Sequence, residues 1–473
     1  MALPDEERDL IRRLTNAHDV ERPYLRALND EYELRSPRAY MHPDIQHELG
    51  ERVQQVVIAW PQLVIDSLEE RLDVEGFRLP KGDADDDLWR VWQENCADEQ
   101  SQMATVDALT MRRSYIALGT NENDADTPLI TFESPLEVYA DIDPRTRDVR
   151  SAIRIYGYGL GYPYLDGLQA TQAAITGRTE RYATVYEPNQ TSYYDLTGDW
   201  KLLDRDEHGL GVVPIVPMVN RARLADWRGR SELDPILPLA RAANKLATDM
   251  MVAAEFIAVP LRGIFGASPN DFEDQDGNSI SPMKALMGRL LTVPDDEKVM
   301  RQFEFASAQL SNFHESINQL ARLVASISGL PPHFLGLATD NPPSADAIRS
   351  AEARLVKRAE RKQRAFGGAY EKAMQIARML VGDDDPKWKR LETIWRDAST
   401  PTIAQTADAA VKKYTAGITT LPQTREDLGY TAAQIERMEA DDEAKAARDP
   451  LAEIVRQGGQ PVSPAEPVPA PAA

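Results

Sequence analysis

A basic stretch from Ile348 to Arg364 contains the side chains of this sequence that could bind phosphate groups. It holds seven cations and only two acidic residues, which gives a local balance of +5. Arg354, Arg358 and Arg361 are separated by four and three residues, a spacing that places them along one side of a helix. The seven cations are Arg349, Arg354, Lys357, Arg358, Arg361, Lys362 and Arg364.

This basic stretch allows two interpretations. In the first, Arg349, Arg354, Lys357 and Arg361 make weak contacts with the phosphates of a passing nucleic acid. In the second, the cations form a solvated helix face and pair with carboxylates of neighbouring subunits. The whole chain has a net charge of −22, from 54 basic and 76 acidic residues, which argues against tight static binding of DNA. An acidic chain is still compatible with a surface along which DNA moves without adhering.

Other residues that could do chemistry lack the required spacing. If the acidic cluster at residues 271–276 were a calcium loop, Phe272 and Met283 would occupy its first and twelfth positions, where an oxygen ligand is required. We therefore expect a solvated turn. No carboxylate or nucleophile lies at a sequence spacing from His333 that would indicate a catalytic pair, which favours a structural role for His333. No P-loop, zinc-ligand spacing or Gly-x-Ser-x-Gly motif occurs. The sequence therefore predicts no enzyme, no cofactor and no metal site.

Two further helices must precede the basic helix. Apolar residues recur at steps of three and four from Leu239 to Ile257 and again from Leu310 to Ile327, the pattern of one helix face. Residues 259–304 between them hold turn signals and strand-like runs. We expect this insert to project as a small β-containing lobe at the far end of an extended helical pair. The alternative is two ordinary core helices of one domain.

A loop at residues 330–343 separates the second helix from the basic one. Four prolines restrict its backbone, and Gly336 permits a tight turn. One interpretation is a loop that faces a channel, with Asp340 and Asn341 near nucleic acid. An ordinary connection between two helices fits the same residues. Ser344 is the expected start of the basic helix.

The first half of the chain changes from helices to strands. Residues 5–30 are predicted to be helical with a break at Pro23. A second helix is predicted from His47 to Leu72, with a break or a new helix start at Trp60-Pro61. Six short strand-like runs between Ser114 and Asp195 favour an antiparallel meander set on helices. Residues 383–446 are predicted to be helical, and the tail is rich in Pro and Ala and expected to be disordered. The fold class is therefore α+β, mainly helical.

Length and composition limit the class of protein. A chain of 473 residues is expected to form two to four domains, and 42% hydrophobic with 27% charged residues indicates a soluble protein. The longest apolar runs are far too short to span a membrane, so no membrane partner is expected. The acidic first residues lack the apolar segment of a signal peptide. Cys96 is the only cysteine, which fits a reducing cytoplasm.

Several stretches, taken in order, resemble the portal proteins of tailed double-stranded DNA phages, specifically the SPP1-type portal family. The resemblance rests on the order and spacing of these stretches and covers about residues 10–445. The stretches are Trp60–Leu68, Val213–Arg221, Gly229–Leu233, Ala243–Met250, Ser328–Gly336 and Asn341–Ile348.

The resemblance implies an elongated portal subunit in a homododecameric ring at one capsid vertex, with double-stranded DNA passing through the channel. It implies a wing of helices and antiparallel strands, two stem helices, a small β-rich clip, a tunnel loop, a long tunnel helix and a helical crown. The implied limits are wing 1–233, first stem helix 234–258, clip 259–304, second stem helix 305–329, tunnel loop 330–343, tunnel helix 344–382, crown 383–446 and disordered tail 447–473.

The resemblance also implies the partners and the location. The expected partners are other copies of the chain, DNA, the terminase large subunit, the major capsid and scaffolding proteins and a head–tail adaptor. The expected location is the virion, with assembly in the host cytoplasm. Two alternative classes remain open, a metal-dependent nucleic-acid enzyme with acidic metal ligands and a helical scaffold or adaptor without a channel.

Overall fold

The structure is a computed structural model that describes most of the chain in two compact units, residues 1–398 and 399–473. The described residues are 3–41, 55–158, 180–258, 262–265, 290–293, 301–304, 310–337 and 344–447, apart from 81, 83, 84, 122, 199, 400–402 and 431. Helices and sheets are mixed, so the predicted α+β class is confirmed. Asp340, Asn341, the acidic cluster at 271–276 and the tail beyond Ala447 lie outside the described residues.

Ten α-helices occur in the described residues. They are α1 (Asp5–Tyr32), α2 (Trp60–Glu69), α3 (Asp86–Glu94), α4 (Ala97–Met111), α5 (Leu237–Ala258), α6 (Ser311–Ser328), α7 (Ala345–Leu380), α8 (Ile403–Thr415), α9 (Leu421–Asp427) and α10 (Ala432–Ala447).

Thirteen strands occur in the same residues. They are β1 (Val74–Arg78), β2 (Arg113–Gly119), β3 (Leu129–Glu133), β4 (Val138–Ile142), β5 (Val149–Tyr158), β6 (Glu180–Tyr186), β7 (Thr191–Asp195), β8 (Lys201–Asp206), β9 (Ile215–Val219), β10 (Arg262–Phe265), β11 (Leu290–Val293), β12 (Arg301–Glu304) and β13 (Glu392–Trp395).

The predicted helix from His47 to Leu72 is wrong over residues 55–59, which are not helical, and its residues 47–54 lie outside the described residues. The predicted break at Trp60-Pro61 is confirmed. α2 begins at Trp60-Pro61, because proline is tolerated in the first turn, where its missing N–H has no helical partner. The predicted break at Pro23 is wrong, since α1 continues through that residue. Buried side chains on both sides of Pro23, including Leu14 and Leu25, outweigh the single lost hydrogen bond. Exposed Cys96 precedes α4 in a left-handed backbone conformation.

The strands of the first half form two sheets and not one meander. The five strands β4 to β8 are antiparallel neighbours in chain order, and a second sheet has the order β3-β2-β9. β9 brings the chain back to β2 and contains Pro217. Proline is tolerated there because β9 lies at the edge of its sheet. The return of β9 places the following residues, 220–233, beside β2 and the end of α4.

The two helices around the insert are buried only at one end. α5 packs against α6. In α5 the early residues Ala243 and Ala247 are buried and Met251 is exposed, whereas in α6 the late residues Val324 and Ser328 are buried. The first turns of α6 are largely exposed. The three strands of the insert form a sheet of order β11-β10-β12 with parallel β10–β11 and antiparallel β10–β12 pairing.

The long helix α7 lies at the centre of the main hydrophobic core. Its residues Leu355, Phe366 and Tyr370 are completely buried. The Tyr370 ring meets the Trp92 ring edge-on, with 5.2 Å between the centroids. α7 contacts α2, β2, β9 and β13, so it connects the helices and the β3-β2-β9 sheet. A helix held on so many sides is a rigid platform for the basic side chains that it carries.

The helical prediction for residues 383–446 is wrong at its beginning. Residues Pro386–Arg390 form a 3-10 turn, and β13 pairs antiparallel with β1 inside the larger unit. The reason is non-local, since β1 has no other strand neighbour in the described residues. Helices α8, α9 and α10 belong to the second unit. The limits of the wing, stem, clip, tunnel and crown segments stay predictions.

Candidate functional site

Helix α7 holds the four basic site candidates on its surface. The Ser344 hydroxyl accepts a hydrogen bond from the backbone N–H of Ala347 at 3.2 Å and so caps the first turn. Arg349, Arg354, Lys357 and Arg361 are all exposed, and the two remaining candidates, Asp340 and Asn341, lie outside the described residues. The structure thus places four of the six sequence candidates on one helix surface.

Arg354 contacts the end of another helix. Its guanidinium donates a hydrogen bond of 2.6 Å to the carbonyl of Ser326, in the last turn of α6. Gly329 ends α6 with a φ of +74°, and a Cβ at that position would lie 3.2 Å from the Arg354 side chain. A cation near the last carbonyls of a helix stabilises its C-terminus. Arg354 therefore joins α7 to α6 and is less available for a ligand than its exposure suggests.

Lys357 and Arg361 differ from Arg354 in their surroundings. The Lys357 ammonium pairs with Glu360 at 2.5 Å, and both side chains are open to solvent. Within the part of the chain that the structure describes, Arg361 has no carboxylate within 4 Å. Surface pairs of this kind contribute little stability, so these two cations can exchange partners at low cost.

Two further cations of the basic stretch, Arg358 and Lys362, turn into the protein and meet Glu232. The Glu232 carboxylate is 1% exposed and accepts from Lys362 at 2.5 Å and from Arg358. Arg221 approaches the same carboxylate at 3.6 Å. The backbone N–H of Glu232 donates to the Leu109 carbonyl at 2.9 Å, which fixes the carboxylate against the end of α4. This Glu232 centre joins α7 to the segment that follows β9.

The charges of the Glu232 centre do not balance. Burial alone raises the pKa of Glu232, but Lys362 and Arg358 outweigh burial and hold that pKa below its ordinary value. Burial lowers the pKa of Lys362 more than Glu232 raises it. One Nη atom of Arg358 is buried without a hydrogen-bond partner. One carboxylate thus serves the buried Lys362, the half-buried Arg358 and a third cation at its edge, so its loss would leave several charges uncompensated.

A second buried ion centre lies around Glu21 of α1. Its carboxylate binds Arg112 at 3.1 Å and Arg113 at 3.0 Å, at the start of β2. Burial raises the pKa of Glu21, and the hydrogen bond and charge of Arg113 outweigh burial and lower it. Arg112 and Arg113 also donate to the carbonyls of Gly229 and Arg228 at 2.9 and 3.1 Å. The Glu21 and Glu232 centres therefore hold the two ends of the same loop.

That loop, residues 221–230, is here named the arginine loop. It contains four arginines and one carboxylate, Asp226, and begins directly after Asn220. Asn220 donates through Nδ2 to the Arg230 carbonyl at 2.7 Å and accepts from the Arg230 N–H at 2.9 Å. Gly229 has a φ of +79°, and a Cβ there would lie 2.5 Å from the Asn220 carbonyl oxygen. Only glycine fits this close approach of two backbone segments.

Sequence reasoning missed Glu232 and the arginine loop. In the sequence, Glu232 stands out only as part of the stretch Gly229–Leu233. Its partners Arg358 and Lys362 lie 126 and 130 residues further along the chain. The usable signal was local, since four arginines in ten residues are unusual in a chain of net charge −22. His333, predicted to be structural, is exposed and its ring lies edge-on to Phe334 in the 3-10 turn Pro332–Leu335.

The described residues contain neither a metal-binding cluster nor a membrane-spanning helix. No group of three His, Cys, Asp or Glu side chains in them is placed to hold a metal ion. Among the same residues, none of the helices combines the length and apolarity needed to cross a bilayer.

Comparison with known proteins identifies similar chains. The family described as "Phage portal protein, SPP1 Gp6-like" matches residues 11–447. The portal protein of Mycobacterium phage D29 is 40% identical over 403 residues, which cover 82% of this chain and 79% of that protein. The portal protein of Mycobacterium phage L5 is 39% identical over 403 residues with the same coverage.

Proposed function

Because this chain belongs to the family of SPP1 Gp6-like phage portal proteins, we propose that it forms a homo-oligomeric ring, a dodecamer, at one vertex of a phage capsid. The ring surrounds a channel that double-stranded DNA crosses during genome packaging and ejection. The observation that carries this proposal is the family match over residues 11–447. The resemblance found in the sequence is confirmed by that match.

The proposed ring is a structural component and not an enzyme. The sequence contains no P-loop, so the energy for DNA translocation must come from a partner that hydrolyses ATP. We assign that role to the terminase large subunit, docked on the ring. The other proposed partners are the major capsid and scaffolding proteins and a head–tail adaptor. The ring assembles in the host cytoplasm and remains in the virion.

The burial pattern of α5 and α6 supports their assignment as stem helices. Each helix is buried near the main core and exposed toward the insert, as Ala243 against Met251 and Ser328 against Ser311 illustrate. Two core helices of one domain would be buried along their whole length. The strands β10, β11 and β12 then form the clip, within residues 259–304. The wing (1–233), tunnel loop (330–343), tunnel helix (344–382) and crown (383–446) complete the proposed division.

The charge distribution fits a channel through which DNA moves. Arg349, Lys357 and Arg361 on α7 carry exposed positive charges, whereas the chain as a whole is acidic, with a net charge of −22. Rings of single cations in an acidic protein give weak, easily exchanged phosphate contacts. We propose that these residues, with Asp340 and Asn341 in the loop before α7, line the channel.

Electron microscopy of negatively stained, purified protein tests the proposal. A closed ring with a central hole is the expected result, and the mass of the particle in solution gives the number of subunits. A monomer that cleaves DNA in the presence of a divalent metal would overturn the proposal in favour of a nuclease. A compact oligomer without a hole would favour a scaffold or adaptor. A preparation with EDTA added is the matched control for the cleavage assay.

A further inference from the structure

The arginine loop is a cationic surface on a strongly acidic protein. Its four arginines and one aspartate give it a net charge of +3. All four arginines are exposed. Arg221 and Arg230 have carboxylates nearby, in Glu232 at 3.6 Å and Asp226 at 3.7 Å. Within the described residues, the guanidinium groups of Arg223 and Arg228 have no carboxylate within 4 Å.

The loop is rigid before any partner binds. Arg223 and Asp226 exchange two backbone hydrogen bonds of 2.9 and 3.0 Å, which close a tight turn. The Arg147 guanidinium, from the β4–β5 turn, lies 3.2 Å from the centre of the Trp227 ring. Together with the bonds between Asn220 and Arg230, these contacts fix both the tip and the base. A preformed loop loses little conformational entropy when it docks.

The tip of the loop favours a protein partner over nucleic acid. Leu224 is 83% exposed and lies inside the turn that Arg223 and Asp226 close. Arg is enriched in protein interfaces, and an exposed apolar side chain beside it is stabilised when a protein partner removes it from water. Contacts with phosphates require only the cations, and an exposed leucine adds nothing to them.

The same chain carries a matching acidic surface at the end of α2, formed by Asp66, Glu69 and Glu70. Asp66 accepts only a neutral hydroxyl group, from Tyr32 at 2.9 Å, among the hydrogen bonds of the described residues. In those residues Glu69 and Glu70 have no cation within 4 Å. Burial, then Asp73, Asp66 and Glu70, raise the pKa of Glu69 to about 7. A cation supplied from outside would relieve this crowding of like charges.

The two surfaces lie on different sides of α7. Arg358 and Lys362 point to Glu232, next to the arginine loop. Glu352 and Gln363 point instead to Arg71, two residues after α2, at 3.9 and 3.1 Å. At 3.6 residues per turn these two directions are roughly a third of a turn apart around the helix. A second copy can therefore bring its acidic surface to the loop of the first, and the contact repeats from copy to copy.

We propose that the arginine loop of one subunit docks on the acidic end of α2 in the next copy of this chain, with Leu224 as the apolar anchor. This inference rests on the proposed ring. It names the contact that would join neighbouring subunits. The pairing is between two different surfaces, so successive subunits are related by rotation and a ring can close.

A charge-swap experiment on the full chain tests the pairing. The loop variant is Arg223→Glu with Arg228→Glu, and the α2 variant is Glu69→Arg with Glu70→Arg. Each is expected to raise the concentration for half-assembly at least about tenfold, because like charges then face each other across the contact. Combining the four substitutions should restore assembly. Mass photometry measures the ring fraction, and circular dichroism melting shows that each subunit is folded.

A matched control separates the local contact from the change in net charge. Lys389→Glu with Arg390→Glu changes the net charge by the same amount as the loop variant, at two exposed cations that belong to neither surface, and should leave assembly unchanged. Leu224→Ser, which removes the anchor and keeps every charge, should weaken assembly about threefold or more. A loop variant that still forms rings at the wild-type concentration would overturn the inference and leave the proposed ring intact.

The remaining outcomes are equally decisive. Failure of the wild-type chain to form rings would overturn the ring and this pairing together. Loss of rings in both single-surface variants without recovery in the combination would overturn the pairing. Binding to a short DNA duplex is measured in parallel by fluorescence anisotropy. A loop variant that assembles normally but binds the duplex more weakly would identify nucleic acid as the occupant and overturn the inference.

Discussion

The two sides of helix α7 use the same residue types for opposite purposes. On one side Arg358 and Lys362 bind the buried carboxylate of Glu232. On the other side Lys357 and Arg361 remain exposed, and the partner of Lys357 is the exposed Glu360. The first pair of cations holds the subunit together, and the second pair is free to meet other molecules. The number of cations in a helix therefore says little about how many of them are available to a ligand.

The largest expected effect comes from Glu232→Ala, which tests the buried side. The substitution leaves the buried Lys362 and the half-buried Arg358 without a counter-charge, so the free energy of unfolding should fall by about 3–5 kcal/mol. Urea denaturation followed by circular dichroism measures the change. The control is Glu360→Ala on the exposed side, which should cost at most about 1 kcal/mol. Equal losses for the two variants would abolish the distinction between the two sides.

The effect of Glu232→Ala on stability has a defined pH dependence. The pKa of Glu232 is lower in the folded chain than its ordinary value of 4.5. Its stabilising contribution is therefore complete above the unfolded pKa and is lost as the pH falls through the folded pKa. The difference between wild type and Glu232→Ala should stay constant from neutral pH to about pH 5 and shrink below that. A difference that grows on acidification would contradict the assignment.

Lys362→Met should have a smaller effect on the same centre. Methionine keeps most of the side-chain volume, and Glu232 retains Arg358 as its partner. The lost hydrogen bonds to Glu232 and Asn220 predict a decrease of about 1–2 kcal/mol in the free energy of unfolding. Lys357→Met is the exposed control and should be close to neutral. A loss as large as that of Glu232→Ala would show that Lys362, and not the carboxylate, dominates the centre.

Arg354→Ala tests a position between the two sides. It removes the hydrogen bond to the Ser326 carbonyl at the end of α6, which should cost about 1 kcal/mol. The effect should be local, with faster amide hydrogen exchange in the last turn of α6 and little change elsewhere. Arg361→Ala, on the same helix without such a contact, is the control. Unchanged exchange at Gly329 and Leu330 would show that Arg354 does not fasten this helix end.

The smallest effect on stability is expected from Lys357→Glu combined with Arg361→Glu. Both side chains are exposed, so the free energy of unfolding should change by no more than about 0.5 kcal/mol. DNA retention or ring assembly should nevertheless be impaired. If DNA is the partner, the salt dependence of binding should weaken by about one ion per removed contact. Unfolding of the isolated subunit would instead show that these residues are structural.

Local patterns predicted many elements of the fold because they depend on neighbouring residues. The periodicity from Leu310 to Ile327 corresponds to α6, and the six strand-like runs between Ser114 and Asp195 correspond to β2 to β7. The strand β13 was missed because its only signal is the open edge of β1, more than 300 residues earlier. Pro23 was misjudged for a similar reason, since burial of α1 is a tertiary effect.

The candidate site was predictable only in part. Spacing correctly placed Arg354, Arg358 and Arg361 on one helix, but it could not show that Glu232 lies beneath the middle residue. A carboxylate 126 residues away is invisible to any pattern within the helix. The availability of a cation depends on this kind of distant partner. The spacing in the sequence therefore predicts which helix carries the cations. Only the fold shows which of these cations are paired inside the subunit and which are exposed.

Cys96 gives the subunit a single reactive handle. It is the only thiol in the chain, and it is exposed at the start of α4. A thiol-reactive fluorophore therefore attaches at one position and marks each copy once. The number of photobleaching steps in one fully labelled particle then counts its subunits directly. The stoichiometry of the assembly can be read in this way without any substitution in the protein.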